Sequence, residues 1–207
     1  MKVSIIHLDL GIGGAERLIV NTSIVLKELG YNITIITSHH DKKHCFEETN
    51  TNGILSNHII VYGDWIPRNI LGKGTAFFAI IRMIYMTIIL IINSIIHKIY
   101  YNDNYIDYVF IDGVSASIPL LTLVGIPVLF YCHFPDKLLC VERKSLTKKL
   151  YRLVIDALEE ITTGILPLLL LLLLLSLLLL LLLLLLLLLL LLLLLLLLLL
   201  LLLLSLQ

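Results

Sequence analysis

The chain has 207 residues, of which 59% are hydrophobic, and its 15 Lys and Arg balance its 15 Asp and Glu. A formal net charge of zero argues neither for a nucleic-acid partner nor against one, and no motif below calls for nucleic acid. Cys45, Cys132 and Cys140 are an odd number at no framework spacing, which excludes a disulfide scaffold and fits a reducing compartment.

All thirty charged residues precede Ile165. From there to Gln207 the chain is leucine, broken by Pro167, Ser176 and Ser205. Residues 1–164 therefore read as one domain of ordinary charge density, and residues 165–207 as a low-complexity tail that inflates the mean hydropathy. The N-terminus carries one lysine, a short apolar run and then glycines, too short and too early for a signal peptide.

Val3 to Leu8 is an apolar run suited to a buried strand of a parallel sheet. Gly11, Gly13 and Gly14 follow, and then a helix from about Ala15 to Leu29. Glycines let the backbone turn tightly and approach a ligand closely. The free N–H groups of the next helix turn make an anion site, most commonly for a diphosphate. The alternative is a tight turn that binds nothing. The helix spacing puts Ala15, Leu18, Ile19, Thr22, Val25, Leu26 and Leu29 on one inward face. Glu16 lies in the first turn, where the dipole favours an acid, and Gly30 stands at the C-terminal cap. A second strand, about Tyr31 to Thr37, completes a β-α-β unit.

His39, His40, His44 and Cys45 follow in a polar segment. A metal site is weighed and set aside, because zinc sites usually show a second ligand pair at a defined spacing. No metal or other cofactor is expected. A third strand, about Ile54 to Tyr62, leads to a loop with Asp64, Trp65 and Arg68. Loops at the carboxyl ends of parallel strands carry ligands, though a lone Trp is as often a packing plug.

Thr75 to Ile96 is very apolar and interrupted by Arg82 and Asn93. About 20 apolar residues would cross a bilayer core, but an arginine inside the span is costly in lipid. A helix packed on the sheet, its outer face touching membrane, accounts for both features; a true span is the second reading. Asp107 to Asp112 reads as a fourth strand ending in an acid, and Val128 to Cys132 as a fifth, followed by His133, Phe134, Pro135 and Asp136. A histidine at the end of a central strand is placed for a ligand; a backbone-bonded histidine is the alternative. Ser145 caps a last amphipathic helix to about Thr163, with Leu146, Leu150, Leu153, Val154, Ala157, Leu158 and Ile161 expected inward. Its basic start, Arg143, Lys144, Lys148, Lys149 and Arg152, opposes the helix dipole. Phospholipid headgroups would offset that cost.

The leucine run from Leu168 would make a helix of about 60 Å, about twice a bilayer core. One residue type cannot specify a packed core. The tail is expected to be a helix or disordered, from a repeat expansion or a mistranslated frame. If made, it would associate with membrane.

The glycine turn lacks the third glycine and the second-strand acid of a nicotinamide site, and it lacks the Gly-Lys-Ser or Gly-Lys-Thr of a P-loop. What remains, Asp9-Leu10-Gly11-Ile12-Gly13-Gly14-Ala15-Glu16-Arg17-Leu18, resembles the opening of the retaining glycosyltransferases of GT-B fold. His44-Cys45-Phe46, Gly63-Asp64-Trp65-Ile66-Pro67-Arg68, Val114-Ser115-Ala116 and Phe130-Tyr131-Cys132-His133-Phe134-Pro135-Asp136 are more particular, as are Lys149-Leu150-Tyr151-Arg152 and Glu159 to Gly164. They resemble the α-1,3/1,6-mannosyltransferases of dolichol-linked oligosaccharide assembly, over essentially Met1 to Gly164.

The resemblance implies an α/β fold, a Rossmann-like parallel sheet with helices on both faces, forming the N-terminal half of a GT-B enzyme. It implies mannose transfer from GDP-mannose to a lipid-diphosphate oligosaccharide, α-1,3 then α-1,6, with retention and without metal, at the cytosolic face of the endoplasmic reticulum membrane. Gly11, Gly13 and Gly14 would face the donor diphosphate and His133 the transferring sugar. Glu16, Arg17, Asp64, Trp65, Arg68, Asp112 and Asp136 would face substrate, and the basic residues of the last helix the membrane. After Gly164 the family continues into a second domain, where this chain has leucines, so the fragment alone is expected to be inactive. The alternatives are a non-catalytic, membrane-associated binding half-domain, or a nucleotide-sugar binder of another GT-B family.

Overall fold

Strand β1 (Lys2–Asp9) is the centre of a five-stranded, fully parallel sheet. In the computed structural model, which describes residues 1–103, 105–133, 145–164, 172–173 and 175–186, the strand order is β3-β2-β1-β4-β5. β2 is Asn32–His39, β3 Ile59–Val61, β4 Tyr108–Asp112 and β5 Val128–Tyr131. β1 pairs with β2 from Lys2↔Asn32 to Asp9↔His39, and with β4 from Val3↔Tyr108 to Ile6↔Ile111.

Alternation explains the two faces. Ile5, Ile33 and Ile35 point to one side, where they pack with Ile19 and Val20 of helix α1 (Gly14–Glu28). Ile6, Ile36, Val109 and Ile111 point to the other. There they meet Met83, Met86 and Leu90 of helix α2 (Thr75–Tyr101) and Leu121 of helix α3 (Ile118–Leu123). Both faces of a parallel sheet are thus apolar, as crossover helices require. Helix α4 (Leu146–Thr163) packs on the turn after β4, where Ser115 Oγ and Thr162 Oγ1 lie 2.7 Å apart.

Three expectations need correction. The third strand spans only Ile59–Val61; Ser56–His58 form a turn of 3-10 helix, which buries Leu55 and leaves Ile54 exposed. The inward face of α1 is Ile19, Val20 and Ser23, while Val25 and Leu29 are exposed. Ser23 is tolerated inside because its hydroxyl donates to the Ile19 carbonyl at 2.7 Å. Gly30 does follow the helix with φ +84°, a left-handed conformation suited to glycine.

The third correction is larger. Leu150, Leu153, Val154, Leu158 and Ile161 of α4 are exposed, and the inward residues are Arg152, Ile155, Asp156 and Thr162. Periodicity shows that a helix has two faces but not which faces in. Here Arg152 Nη2 and Asp156 Oδ1, one helical turn apart and 2.9 Å from each other, neutralise one another and go inside. Arg152 is therefore not a membrane-facing cation. Lys148 and Lys149 are exposed; Arg143 and Lys144 lie outside the described residues.

α2 resolves the arginine in the apolar stretch. Arg82 is buried and donates to Asp9 Oδ1 at 2.8 Å and Ser38 Oγ at 2.9 Å. The helix packs on the sheet through this pair and Met83, Met86 and Leu90, and it leaves Ile92, Ile95, Ile96, Ile99, Tyr100 and Tyr101 exposed. By length and composition it could still cross a membrane, with a most apolar window of mean hydropathy 2.3 that is 28% buried. A second unit spans Leu168–Gln207; of it, Leu175–Leu186 form an apolar helix with exposed side chains.

Candidate functional site

The strand order reverses direction between β1 and β4, because β2 and β3 lie on one side of β1 and β4 and β5 on the other. In open α/β sheets ligands bind at the carboxyl ends of the strands at such a switch point. The glycine turn leaves β1 there, and Leu10 N donates to the His39 carbonyl of β2 at 2.9 Å, anchoring its start. Asp112 ends β4, and His133 follows β5.

These ends bring four titratable groups into a row. The Asp112 carboxylate is divided between two imidazoles, with Oδ2 2.7 Å from His7 Nδ1 and Oδ1 2.9 Å from His133 Nε2. His7 Nε2 in turn faces Glu16 Oε1 of α1 at 3.9 Å. The ring N–H groups sit at hydrogen-bonding distance from Asp112 but are poorly aligned on its oxygens. His7 and Asp112 lie inside, with side chains 9% and 1% exposed, whereas His133 is 35% exposed. Tyr131 presents its ring edge-on to His133, with centroids 4.8 Å apart.

Burial alone would lower the His7 pKa. The facing carboxylates of Asp112 and then Glu16 outweigh that and raise it to about 9. At neutral pH His7 is therefore an imidazolium. The charged His7 beside it holds the Glu16 carboxyl below its ordinary pKa against the opposing effect of burial, helped by Glu16's own backbone N–H. Thus the N-terminus of α1 already has an anion, the carboxylate of Glu16. A Cβ built on Gly13 would run into that carboxylate, whereas one on Gly14 meets nothing. Gly13 itself is extended at φ −173°, so space and not backbone conformation demands glycine there. Gly11, at the start of the turn, has only the His44 carbonyl near where a Cβ would sit, 4.0 Å away.

The other sequence candidates are more scattered. Arg17 points away from the histidines, binding Glu48 Oε1 at 2.8 Å and lying 5.1 Å above the Phe46 ring. Asp64 binds His39 Nδ1 at 2.6 Å, and exposed Trp65 packs edge-on against Tyr85. Arg68 reaches Asp9 Oδ1 at 3.5 Å, beside Arg82. Asp112 is the correction here: it is 2% exposed and lies behind His133, with an imidazole standing against each of its oxygens. Asp136 lies outside the described residues.

His40 is spent on backbone, with its two ring nitrogens 3.1 Å from the Leu10 carbonyl and 2.9 Å from that of Thr49. Among the described residues no group of three His, Cys, Asp or Glu is arranged to hold a metal. A cavity of about 710 Å³ opens beside Asp9, between α2, the turn after β4 and α4. Arg68, Arg82 and Arg152 line it. Asp9 and Asp156 offset their charge, so it is not strongly cationic.

Sequence reasoning missed His7 and the Asp9–Arg82 pair. The available signal for His7 was one ionisable residue inside an otherwise apolar strand run.

The fold and this row of groups define a Rossmann-like domain with a glycine turn and a histidine–aspartate pair at its switch point. No protein-family model matches the chain. Among curated proteins it is similar to the alpha-1,3/1,6-mannosyltransferase ALG2 of Candida albicans, 48% identical over 166 residues, covering 79% of this chain and 35% of that protein. The same enzyme of Dictyostelium discoideum is 46% identical, covering 79% of this chain and 37% of its own. That of Saccharomyces cerevisiae is 45% identical, covering 78% and 30%. The aligned residues are thus related to the α-1,3/1,6-mannosyltransferase family, and the chain spans about a third of the length of these relatives. Of the solved structures, MurG of Acinetobacter baumannii matches with a TM-score of 0.37 and 16% identity over 73% of this chain and 39% of that one, a likeness too weak to bear on the fold.

Proposed function

We propose that these residues form the first half of a GT-B mannosyltransferase, one that moves mannose from GDP-mannose to a lipid-diphosphate-linked oligosaccharide. The observation that carries this reading is the identity of 43–48% to several α-1,3/1,6-mannosyltransferases. The site geometry supports it. As the glycosidic bond of a sugar nucleotide breaks, the departing diphosphate gains negative charge, and preorganised N–H donors stabilise it. The amides after Gly13 at the start of α1 are such donors, and the Glu16 carboxylate lies beside them. A donor diphosphate would displace that carboxylate or bind beside it. His133, the accessible member of the row, would bind a hydroxyl of the transferring sugar, oriented from behind by Asp112. This reading calls for no metal.

The exposed apolar end of α2 and the outward leucines of α4 support contact with a membrane surface, which a lipid-linked acceptor needs. The proposed address is the cytosolic face of the endoplasmic reticulum.

A chimera tests the assignment. Residues 1–164 replace the aligned part of the Saccharomyces cerevisiae relative, and mannose transfer is assayed with GDP-mannose and a lipid-diphosphate oligosaccharide. Transfer that is lost in His133→Ala is the expected result. A folded chimera that transfers no mannose, or one that uses UDP-sugars equally well, would refute the assignment.

A further inference from the structure

A histidine in the middle of a buried parallel strand is expensive. His7 is 7% exposed, between Ile6 and Leu8 in β1, and its neighbours along the strand serve the core. Its two ring nitrogens each face an acid from another element, Nδ1 at 2.7 Å from Asp112 of β4 and Nε2 at 3.9 Å from Glu16 of α1. Asp112, for its part, lies between His7 and His133. A carboxylate so enclosed has its plane set by what holds each oxygen. With Oδ2 against His7 Nδ1, Oδ1 lies on the side of His133.

We propose that His7 is a positioning residue for His133, acting through Asp112, and that its opposite nitrogen keeps the Glu16 carboxylate over the Gly13 turn. It rests on the proposed function only in taking His133 as the residue that meets substrate. The consequence for His133 is chemical. Its Nε2 faces Asp112 Oδ1 at 2.9 Å, so the carboxylate favours the tautomer with the proton on Nε2 and leaves Nδ1 to accept a hydrogen bond from a hydroxyl. One strand residue thereby links the start of α1 to the histidine beyond β5. The ionisable groups facing His7 are Asp112 and Glu16, with His133 behind the former.

The test is ring-nitrogen NMR on the full chain in detergent micelles, with its seven histidines labelled and assigned by substitution. In the parent chain His133 should show a fixed Nε2–H tautomer. In His7→Phe the two ring nitrogens of His133 should average toward equal populations. In His7→Gln, which keeps an N–H donor toward Asp112, the fixed tautomer should be partly restored. Asp112→Asn should release His133 whatever stands at position 7. An unchanged His133 tautomer in folded His7→Phe would overturn the proposal. So would unfolding of both His7 variants, which would make His7 a folding residue only. The ring signals need no donor, so a parent chain that fails to bind GDP-mannose would count against the proposed function and leave this test standing.

Discussion

Arg82 reaches back across 73 residues to the carboxylate of Asp9, with Nη1 2.8 Å from Oδ1. The pair joins the end of the central strand to an otherwise apolar helix. It explains how a helix with the composition of a membrane span can carry a buried arginine while packed on a sheet. Asp9 is one-third exposed, so removing the arginine leaves a carboxylate that water can still reach. Arg82→Met should therefore cost about 1–3 kcal/mol, toward the low end for a broken buried pair. Asp9→Asn combined with Arg82→Met should cost less than the sum of the two single changes, as measured by urea unfolding.

His7 predicts a pH dependence whose sign is fixed by its environment. Its folded pKa of about 9 lies above the ordinary 6.5. Stability from this group is fully present below pH 6.5 and is lost as pH rises through about 9. A shift of that size corresponds to about 3 kcal/mol. Urea midpoints measured from pH 6 to 9.5 should fall across this window in the parent chain. The slope should be much smaller in His7→Gln.

The glycine turn separates space from flexibility. Gly14→Ala places a methyl where nothing stands, at a helical position, and should leave stability unchanged or raise it by about 0.5–1 kcal/mol. Gly13→Ala drives the Glu16 carboxylate from its place, a shift a flexible side chain can absorb at about 1 kcal/mol or less. It also takes Glu16 from His7. Its signature should therefore be a lower His7 pKa, read by NMR titration, more than a lower unfolding midpoint.

α4 can be tested for which way it faces. Ile155 is 4% exposed, whereas Leu153 is 66% exposed. Ile155→Ala should destabilise the chain by about 2–4 kcal/mol, and Leu153→Ser by under about 0.5 kcal/mol. Equal costs at the two positions would mean that the apolar face is covered. A reversed order would restore the inward leucines expected from the sequence.

The sheet was legible in the sequence because parallel strands buried on two faces leave continuous apolar runs, as in Val3 to Leu8 and Tyr108 to Asp112. Glycine at the β1–α1 turn and the acid and histidine ending β4 and β5 were legible as strand-end chemistry. The inward faces of α1 and α4 were not. Ser23 bonds its hydroxyl to its own helix, and Arg152 and Asp156 offset each other's charge one turn apart, which lowers the penalty that would have kept them outside. His7 escaped notice because nothing local distinguishes a stray polar residue from one met by two acids.

Order along the chain was enough to specify a parallel α/β domain, its glycine turn and the composition break at Ile165, because strand and helix periodicity and turn chemistry act over a few residues. Only the folded chain decided that Asp112 stands between His7 and His133, that Glu16 caps its own helix start, and that Arg82 belongs to Asp9. Those partners are brought together by strand order and crossovers, and a one-dimensional pattern carries no record of which distant charges will meet.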